Sequence, residues 1–277
     1  MEVRSLPTPS NTLPLGDTVR FEQSESRPVL AKPRRSGLSN LEIRPVLPRH
    51  PRYQACKRIV DIAVSATLLI LAVPLIGVLA VLIKLTSRGP AFYTQKRVGK
   101  NGRSFTIYKL RTMINNCESL TGPRWSIPGD PRVTGIGQLL RITHLDELPQ
   151  LLNVLFGHMS LIGPRPERPE FLPELIQQYP TYPERLRIRP GVTGFAQVQL
   201  PADTDIDGVS HKLAYDLYYV EHAGPGLDVR IILGTLLYVA RVPFQMVSRM
   251  VGLPGPEAVE MCGYVPRVAN KRQRIGA

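Results

Sequence analysis

Two adjacent carboxylates, Asp146 and Glu147, with a proline three residues after the first, are the part of this sequence best equipped for chemistry. Pro149 has no backbone N–H, so a helix accommodates it only in its first turn, where that group has no partner to lose. The spacing predicts Asp146 as an N-cap and a helix opened by Glu147. In that helix Leu148, Leu151, Leu152, Val154 and Leu155 recur at helical spacing, and the end falls near Gly157. Both acids then stand at the positive end of a helix dipole, which favours ionised Asp146 and makes the same place a landing site for phosphate. Asp146 is then either a reacting carboxylate or an ordinary helix cap, for which Asp is a leading choice. Arg141 precedes the pair by five residues, and Arg165 follows it inside Gly163-Pro164-Arg165-Pro166, held between two prolines that stiffen the turn. The two guanidiniums are either surface ion pairs of little worth or a fork-shaped clamp for a diphosphate.

The whole stretch from Arg141 to Pro166, RxTxLDELPQLLNVLxGxMSLxGPRP, resembles the catalytic core of the bacterial sugar transferase family, the monotopic polyprenol-phosphate phosphoglycosyl transferases. The resemblance extends over residues 53–245. It implies transfer of a sugar 1-phosphate from a nucleotide diphosphate sugar, taken as a UDP-sugar, to polyprenyl phosphate, with release of nucleoside monophosphate. It further implies an aspartyl phosphosugar intermediate on Asp146, Glu147 as ligand of Mg²⁺, and a place at the first step of exopolysaccharide or glycan assembly. Two positions depart from the family pattern: His144 stands where many members have Ser, and His158 where many have Asp. His144 either adds a titratable cation beside the acids or points to solvent. The loss of an acid at 158 weakens any reading with a third carboxylate on the metal.

Other elements must position these residues. From Ile62 to Ile83 run 22 residues without a charge, about 33 Å as a straight helix against a bilayer core of about 30 Å. Pro74 interrupts the run and predicts a bend. Lys57 and Arg58 flank one end, and Lys84, Arg88, Lys96 and Arg97 the other, so the positive-inside tendency assigns no direction. A bent helix entering and leaving by one leaflet satisfies both flanks; a kinked spanning helix is the alternative. The resemblance implies the re-entrant, proline-broken form, in a bacterial cytoplasmic (inner) membrane with the catalytic domain facing the cytoplasm.

The segment AFYTQKRVGKNGRSFTIYKLRTM alternates, is rich in Phe, Tyr, Thr and Val, and has Asn101-Gly102 between its halves, which predicts a β-hairpin. Lys109 and Arg111 emerge at its end. By residue type they are solvated strand residues; by resemblance they are partners of substrate phosphate or of the acid pair. Residues 115–135 read as a loop holding Trp125, PEFLPELIQQYP as a short helix, and the segment from His211 to His222 as an amphipathic helix. The turn chemistry of RIRPGVTGFAQVQL precedes a β-prone run. By resemblance Arg189, Gly191 and Thr193 are nucleotide contacts, and by residue type they form a common Pro-Gly turn. From Asp228 to Met250 an apolar stretch interrupted by Arg230, Arg241, Pro243 and Arg249 reads as a helix lying in the membrane interface, or else as a core helix.

The fold class is thus α+β: a mainly helical monotopic membrane protein with a re-entrant helix at 59–84, a small hairpin and an interfacial C-terminal helix. Residues 1–52, with eight prolines, read as a disordered basic tail, 53–252 as the domain and 253–277 as a loose basic tail. A formal net charge of +13 calls for an anionic partner. Nucleotide sugar, polyprenyl phosphate and anionic membrane lipid qualify, whereas no recognition motif supports nucleic acid. Cys56, Cys117 and Cys262 show no paired spacing, which excludes a disulfide framework or a zinc cluster as the organising device. Two other functions compete: a two-carboxylate hydrolase and a non-enzymatic basic protein of the membrane surface. Adjacent acids on one helix start are poorly placed for glycosidase work, which needs carboxyls facing each other about 5 Å or more apart. The sequence leaves the sugar, the base and the oligomeric state open.

Overall fold

The computed structural model describes residues 51–119, 122–127, 129–200 and 206–261; the expected N-terminal tail lies almost wholly outside them. Helix α1, Pro51–Thr86, is continuous across Pro74 and is the one described helix long and apolar enough to cross a membrane. A hairpin follows, with β1 (Phe92–Val98) antiparallel to β2 (Ser104–Leu110). Its turn carries Asn101 and Gly102 at φ 56° and 73°, the left-handed conformation that the Asn-Gly dipeptide signals. Then come α2 (Gly135–Thr143), a 3₁₀ turn at Leu145–Glu147 and α3 (Gln150–Leu155). Strand β3 (Ser160–Ile162) pairs in parallel with β4 (Gly191–Thr193), and α4 (Leu172–Gln178) with a 3₁₀ turn at Tyr182–Arg187 lies between them. The C-terminal part holds α5 (Ile206–His222), α6 (Pro225–Val239), α7 (Phe244–Val251) and α8 (Pro256–Met261).

One stripe of α1 is buried along its length: Asp61, Ser65, Ala72, Ile76, Leu79 and Ile83, separated by three, four or seven residues and so on one face. Its lower half packs against Ala91, Leu110 and Leu140, where the fully buried Ile83 contributes about 2 kcal/mol. The remaining faces expose Ile70, Leu71, Val81 and Leu85. A helix apolar all round with only one face covered needs an apolar surrounding for the others.

Both ends of α1 are tied to the same domain. Near its start, Tyr53 and Lys57 each donate to Asp228 Oδ2 at 2.8 Å, and Arg58 donates to the carbonyls of Val154 and Leu155. Tyr219 of α5 donates to the other oxygen of Asp228 at 2.6 Å, so one buried carboxylate joins α1, α5 and α6. Past its C-terminus, Arg111 donates to the carbonyls of Ser87 and Arg88 and to the Ser87 hydroxyl.

Two expectations are corrected here. The C-terminal apolar stretch is not one helix: α6 stops at Val239, Arg241 takes φ 63°, and α7 begins after Pro243, which cannot continue the ladder. The fold also continues beyond residue 252, because Leu253 and Val259 are buried in the cluster around Phe195 and Tyr219 and hold α8 in place.

Candidate active site

The acid pair does not sit where a helix cap would. His144, at φ 56°, ends α2 in the left-handed conformation, and the chain re-enters as a 3₁₀ turn containing both acids. No side-chain cap bond forms, and α3 starts only at Gln150, after Pro149. Asp146 is therefore a turn residue rather than an N-cap. Leu145 and Leu148 bracket the pair and pack into the cluster of Leu110 and Leu140, which draws Asp146 under the surface to 7% exposure. Asn153 fixes α3 on the hairpin: its Oδ1 accepts from Tyr108 N at 3.1 Å, and its Nδ2 donates to Thr106 O at 2.7 Å. This pairing sets Lys109 opposite the acids.

Adjacent in sequence, the two carboxylates have opposite surroundings. Glu147 Oε1 accepts from Lys109 Nζ at 2.7 Å and from Arg165 Nη2 at 2.8 Å. Burial opposes its ionisation, but the Arg165 and Lys109 charges outweigh it and hold its carboxyl well below the usual range. Among the described residues no hydrogen bond reaches the Asp146 carboxylate. Burial first, then the neighbouring Glu147 charge, pushes it up to about 6, against the pull of Lys109, Arg165 and Arg141. One acid is a fixed anion; the other is a desolvated carboxylate that ionises just below neutrality.

A stability test follows. The folded value for Asp146 lies above the unfolded value of about 4, so its burial costs nothing at lower pH. The cost grows between pH 4 and 6 and is complete above 6. Asp146→Asn in detergent micelles should therefore be more stable than the native chain at pH 7, by on the order of 2 kcal/mol, with the gain vanishing near pH 4. A melt showing Asp146→Asn less stable at pH 7 would mean the carboxylate is well solvated or paired.

Arg165 is positioned from several sides. Gly163 N donates to Thr193 O, Gly191 N to Pro164 O, Arg185 Nη2 to Arg165 O, and Arg97 Nη1 to Pro166 O. A Cβ on Gly191 would lie 2.1 Å from Gly163 N, so the two strands meet this closely only because both residues are glycine. The side chain itself is 50% exposed, leaving guanidinium N–H groups free of Glu147 and open to a ligand. Arg185 is itself buried, paired with Asp216 and bonded to the Tyr182 hydroxyl. Arg185, Asp216 and Arg97 carry no local sequence signal, since their partners lie far along the chain.

The structure brings together Asp146, Glu147, Lys109 and Arg165; the other candidate residues have different neighbours. Arg141 lies close enough to Asp146 to feel its charge, but its Nε donates to Thr112 Oγ1 and its Nη1 to Ser126 Oγ. Arg111 is turned away to cap α1. Gly191 and Thr193 support the Arg165 turn, with Thr193 Oγ1 2.8 Å from Thr235 Oγ1. Arg189 donates to Gly157 O and lines a groove near the start of α1 with Lys57, Arg58 and Lys100. His144 does not simply face solvent: half-buried, it lies against the Tyr238 ring at 5.2 Å. Burial lowers its pKa, which keeps it neutral near pH 7. Tyr238, which feels both Arg165 and Glu147, is a wall of the site that sequence reading missed inside an apolar helix.

Among the described residues no three His, Cys, Asp or Glu side chains gather as a metal cage. Glu147 Oε2 and the Asp146 carboxylate accept no hydrogen bond and are the donors a hard cation would find. That suits Mg²⁺, which commonly takes one or two carboxylates and completes its shell with phosphate and water.

A family model described as bacterial sugar transferase matches residues 52–242. Among curated proteins, the UDP-N-acetylgalactosamine-undecaprenyl-phosphate N-acetylgalactosaminephosphotransferase of Aeromonas hydrophila is 43% identical over 186 residues. That match covers 67% of this chain and 44% of the relative, so the chain spans less than half of that protein's length. The exopolysaccharide production protein PSS of Rhizobium leguminosarum bv. phaseoli is 41% identical, over 65% of this chain and 93% of the relative. The UDP-glucose:undecaprenyl-phosphate glucose-1-phosphate transferase of Caulobacter vibrioides is 41% identical, over 65% of this chain and 68% of the relative.

Proposed function

This chain belongs to the bacterial sugar transferase family, and we propose that it transfers a sugar 1-phosphate from a UDP-sugar to undecaprenyl phosphate, in exopolysaccharide assembly, through a covalent intermediate on Asp146. The names of the relatives support the substrates and the setting. The observation that carries the mechanism is the unequal acid pair: a buried, unpaired carboxylate beside one saturated by two cations.

Asp146, ionised and stripped of solvent, attacks the phosphorus that bears the sugar. The P–O bond to UMP breaks, and UMP leaves with the bonding pair. A phosphate oxygen of undecaprenyl phosphate then attacks the same phosphorus. The Asp146 carboxylate is regenerated, and the lipid-linked diphosphate sugar departs. Arg165 and Lys109 are aimed at the charge that gathers on the transferred phosphoryl oxygens. Glu147 keeps both cations in place. Mg²⁺, held by Glu147 and the diphosphate, would supply further neutralisation of the leaving phosphate. Incubation with UDP-sugar and undecaprenyl phosphate in vesicles should yield UMP and the lipid-linked product in equal amounts. Excess EDTA should remove at least about 90% of turnover, and Mg²⁺ restore it. Hydrolysis to free sugar phosphate would instead favour a hydrolase, and full turnover in EDTA would remove the metal from the scheme.

The helix-rich fold with its apolar α1 is membrane-associated, and we propose the re-entrant form in the bacterial inner membrane. Its support is mechanical: Asp228 holds the start of α1 and Arg111 its end, both from the domain that carries the acid pair. A spanning α1 would have to place those anchors on opposite sides of the bilayer. Cysteines introduced at Arg52 and Arg88 should both react with an impermeant maleimide only from the cytoplasmic face. Labelling of either one from the outside would rule this topology out.

A further inference from the structure

An open groove of about 450 Å³ lies where the last turns of α1 meet the chain entering β1. Ala80, Val81 and Leu85 line it on one side and Pro90, Ala91 and Phe92 on the other, with Lys84 as the one charged lining residue. The volume is that of a small-molecule site. Val81, Leu85 and Phe92 are 58%, 77% and 48% exposed, so an apolar occupant would remove them from water. We infer that this groove takes the isoprenoid chain of the phosphorylated lipid acceptor and guides its phosphate to the acid pair; the inference rests on the transferase reading above.

Continuity with the site is the reason to place this ligand here. Ala80 and Ala91 pack in the same cluster as Leu110, Leu145 and Leu148, and the last two bracket Asp146 and Glu147. In the hairpin register Phe92 pairs with Leu110 and Tyr93 with Lys109, whose ammonium is 2.7 Å from Glu147. Groove and acids are thus separated by one strand, a step of about 4.8 Å between neighbours. The occupant must be apolar along its length yet end in a phosphate able to cross that step. An isoprenoid joined directly to its phosphate does so, whereas a two-chain phospholipid carries a glycerol body between chain and phosphate. Lys84 matches the charge of the approaching head group, its stem lying on apolar surface and its ammonium free to reach phosphate.

The test uses the full chain in vesicles of phosphatidylethanolamine and phosphatidylglycerol, with an undecaprenyl phosphate analogue bearing a diazirine on its isoprenoid chain. Photolabel should concentrate on the peptide spanning residues 80–92. Unlabelled undecaprenyl phosphate should compete it away, and added phosphatidylglycerol should not. Val81→Trp, which fills the groove, should weaken labelling about ten-fold, equivalent to about 1.4 kcal/mol. Leu71→Trp, on an equally exposed part of α1, should leave labelling intact. Label spread evenly along α1, or competed equally by phosphatidylglycerol, would overturn the assignment and leave the groove to ordinary membrane lipid. Failure of the transferase reading would show separately, as no UMP release from the native chain.

Discussion

Asp146→Asn is expected to lose at least about a thousand-fold in turnover, the scale on which removing a covalent nucleophile is felt, while folding and membrane association persist. The loss has a specific physical origin. Asn has nearly the same shape and cannot attack phosphorus as an anion. Because the native carboxylate is buried without a hydrogen-bonding partner, the substitution orphans no partner donor. A dead enzyme that is also more stable at pH 7 separates a chemical role from a structural one. A variant retaining a tenth or more of native turnover would mean that undecaprenyl phosphate attacks the donor directly, leaving Asp146 at most a supporting part.

The second large effect is expected at Arg165. Arg165→Ala should lower kcat/KM by about a hundred- to a thousand-fold, with Arg165→Lys recovering only part of it, since an ammonium cannot bond Glu147 and a phosphoryl oxygen with the geometry of the fork. The turn itself should survive, because its holds are backbone bonds from Thr193, Arg185, Arg97 and Gly191 that do not involve the side chain. Glu147 also keeps Lys109. Arg111→Ala offers the contrast: its guanidinium binds the carbonyls after α1, so its loss should loosen the protein and leave the chemistry of the surviving folded fraction intact. Equal kinetic defects in the two variants, at equal stability, would mean that Arg111 reaches the substrate after all.

These arginines show where the sequence is informative and where it is silent. The Asn101-Gly102 hairpin was legible because a left-handed turn leaves its mark in two neighbouring residues. Lys109 and Arg111 look alike on paper, two apart and so on one face of a strand. β2 ends at Leu110, however, and Arg111, already off the strand, turns back to α1. Pro149 correctly marks a helix start, but local rules could not see His144 take the left-handed conformation and wind the acids into a 3₁₀ turn. The difference between Asp146 and Glu147 was hidden for the same reason: it is made by Lys109 and Arg165, 38 and 18 residues from Glu147. Asp228 and the Arg185–Asp216 pair likewise act across folded space and leave no periodic trace. Pro243 did mark a break, one that the apolar run around it concealed.

The central claim, a covalent sugar phosphate on Asp146, is tested most directly by mass. Native protein incubated with UDP-sugar in the absence of lipid, quenched and digested, should gain the mass of one sugar phosphate on the peptide containing Asp146. One equivalent of UMP should be released at the same time, and undecaprenyl phosphate added before the quench should remove the adduct. No UMP burst and no adduct, with turnover still intact once lipid is present, would contradict it.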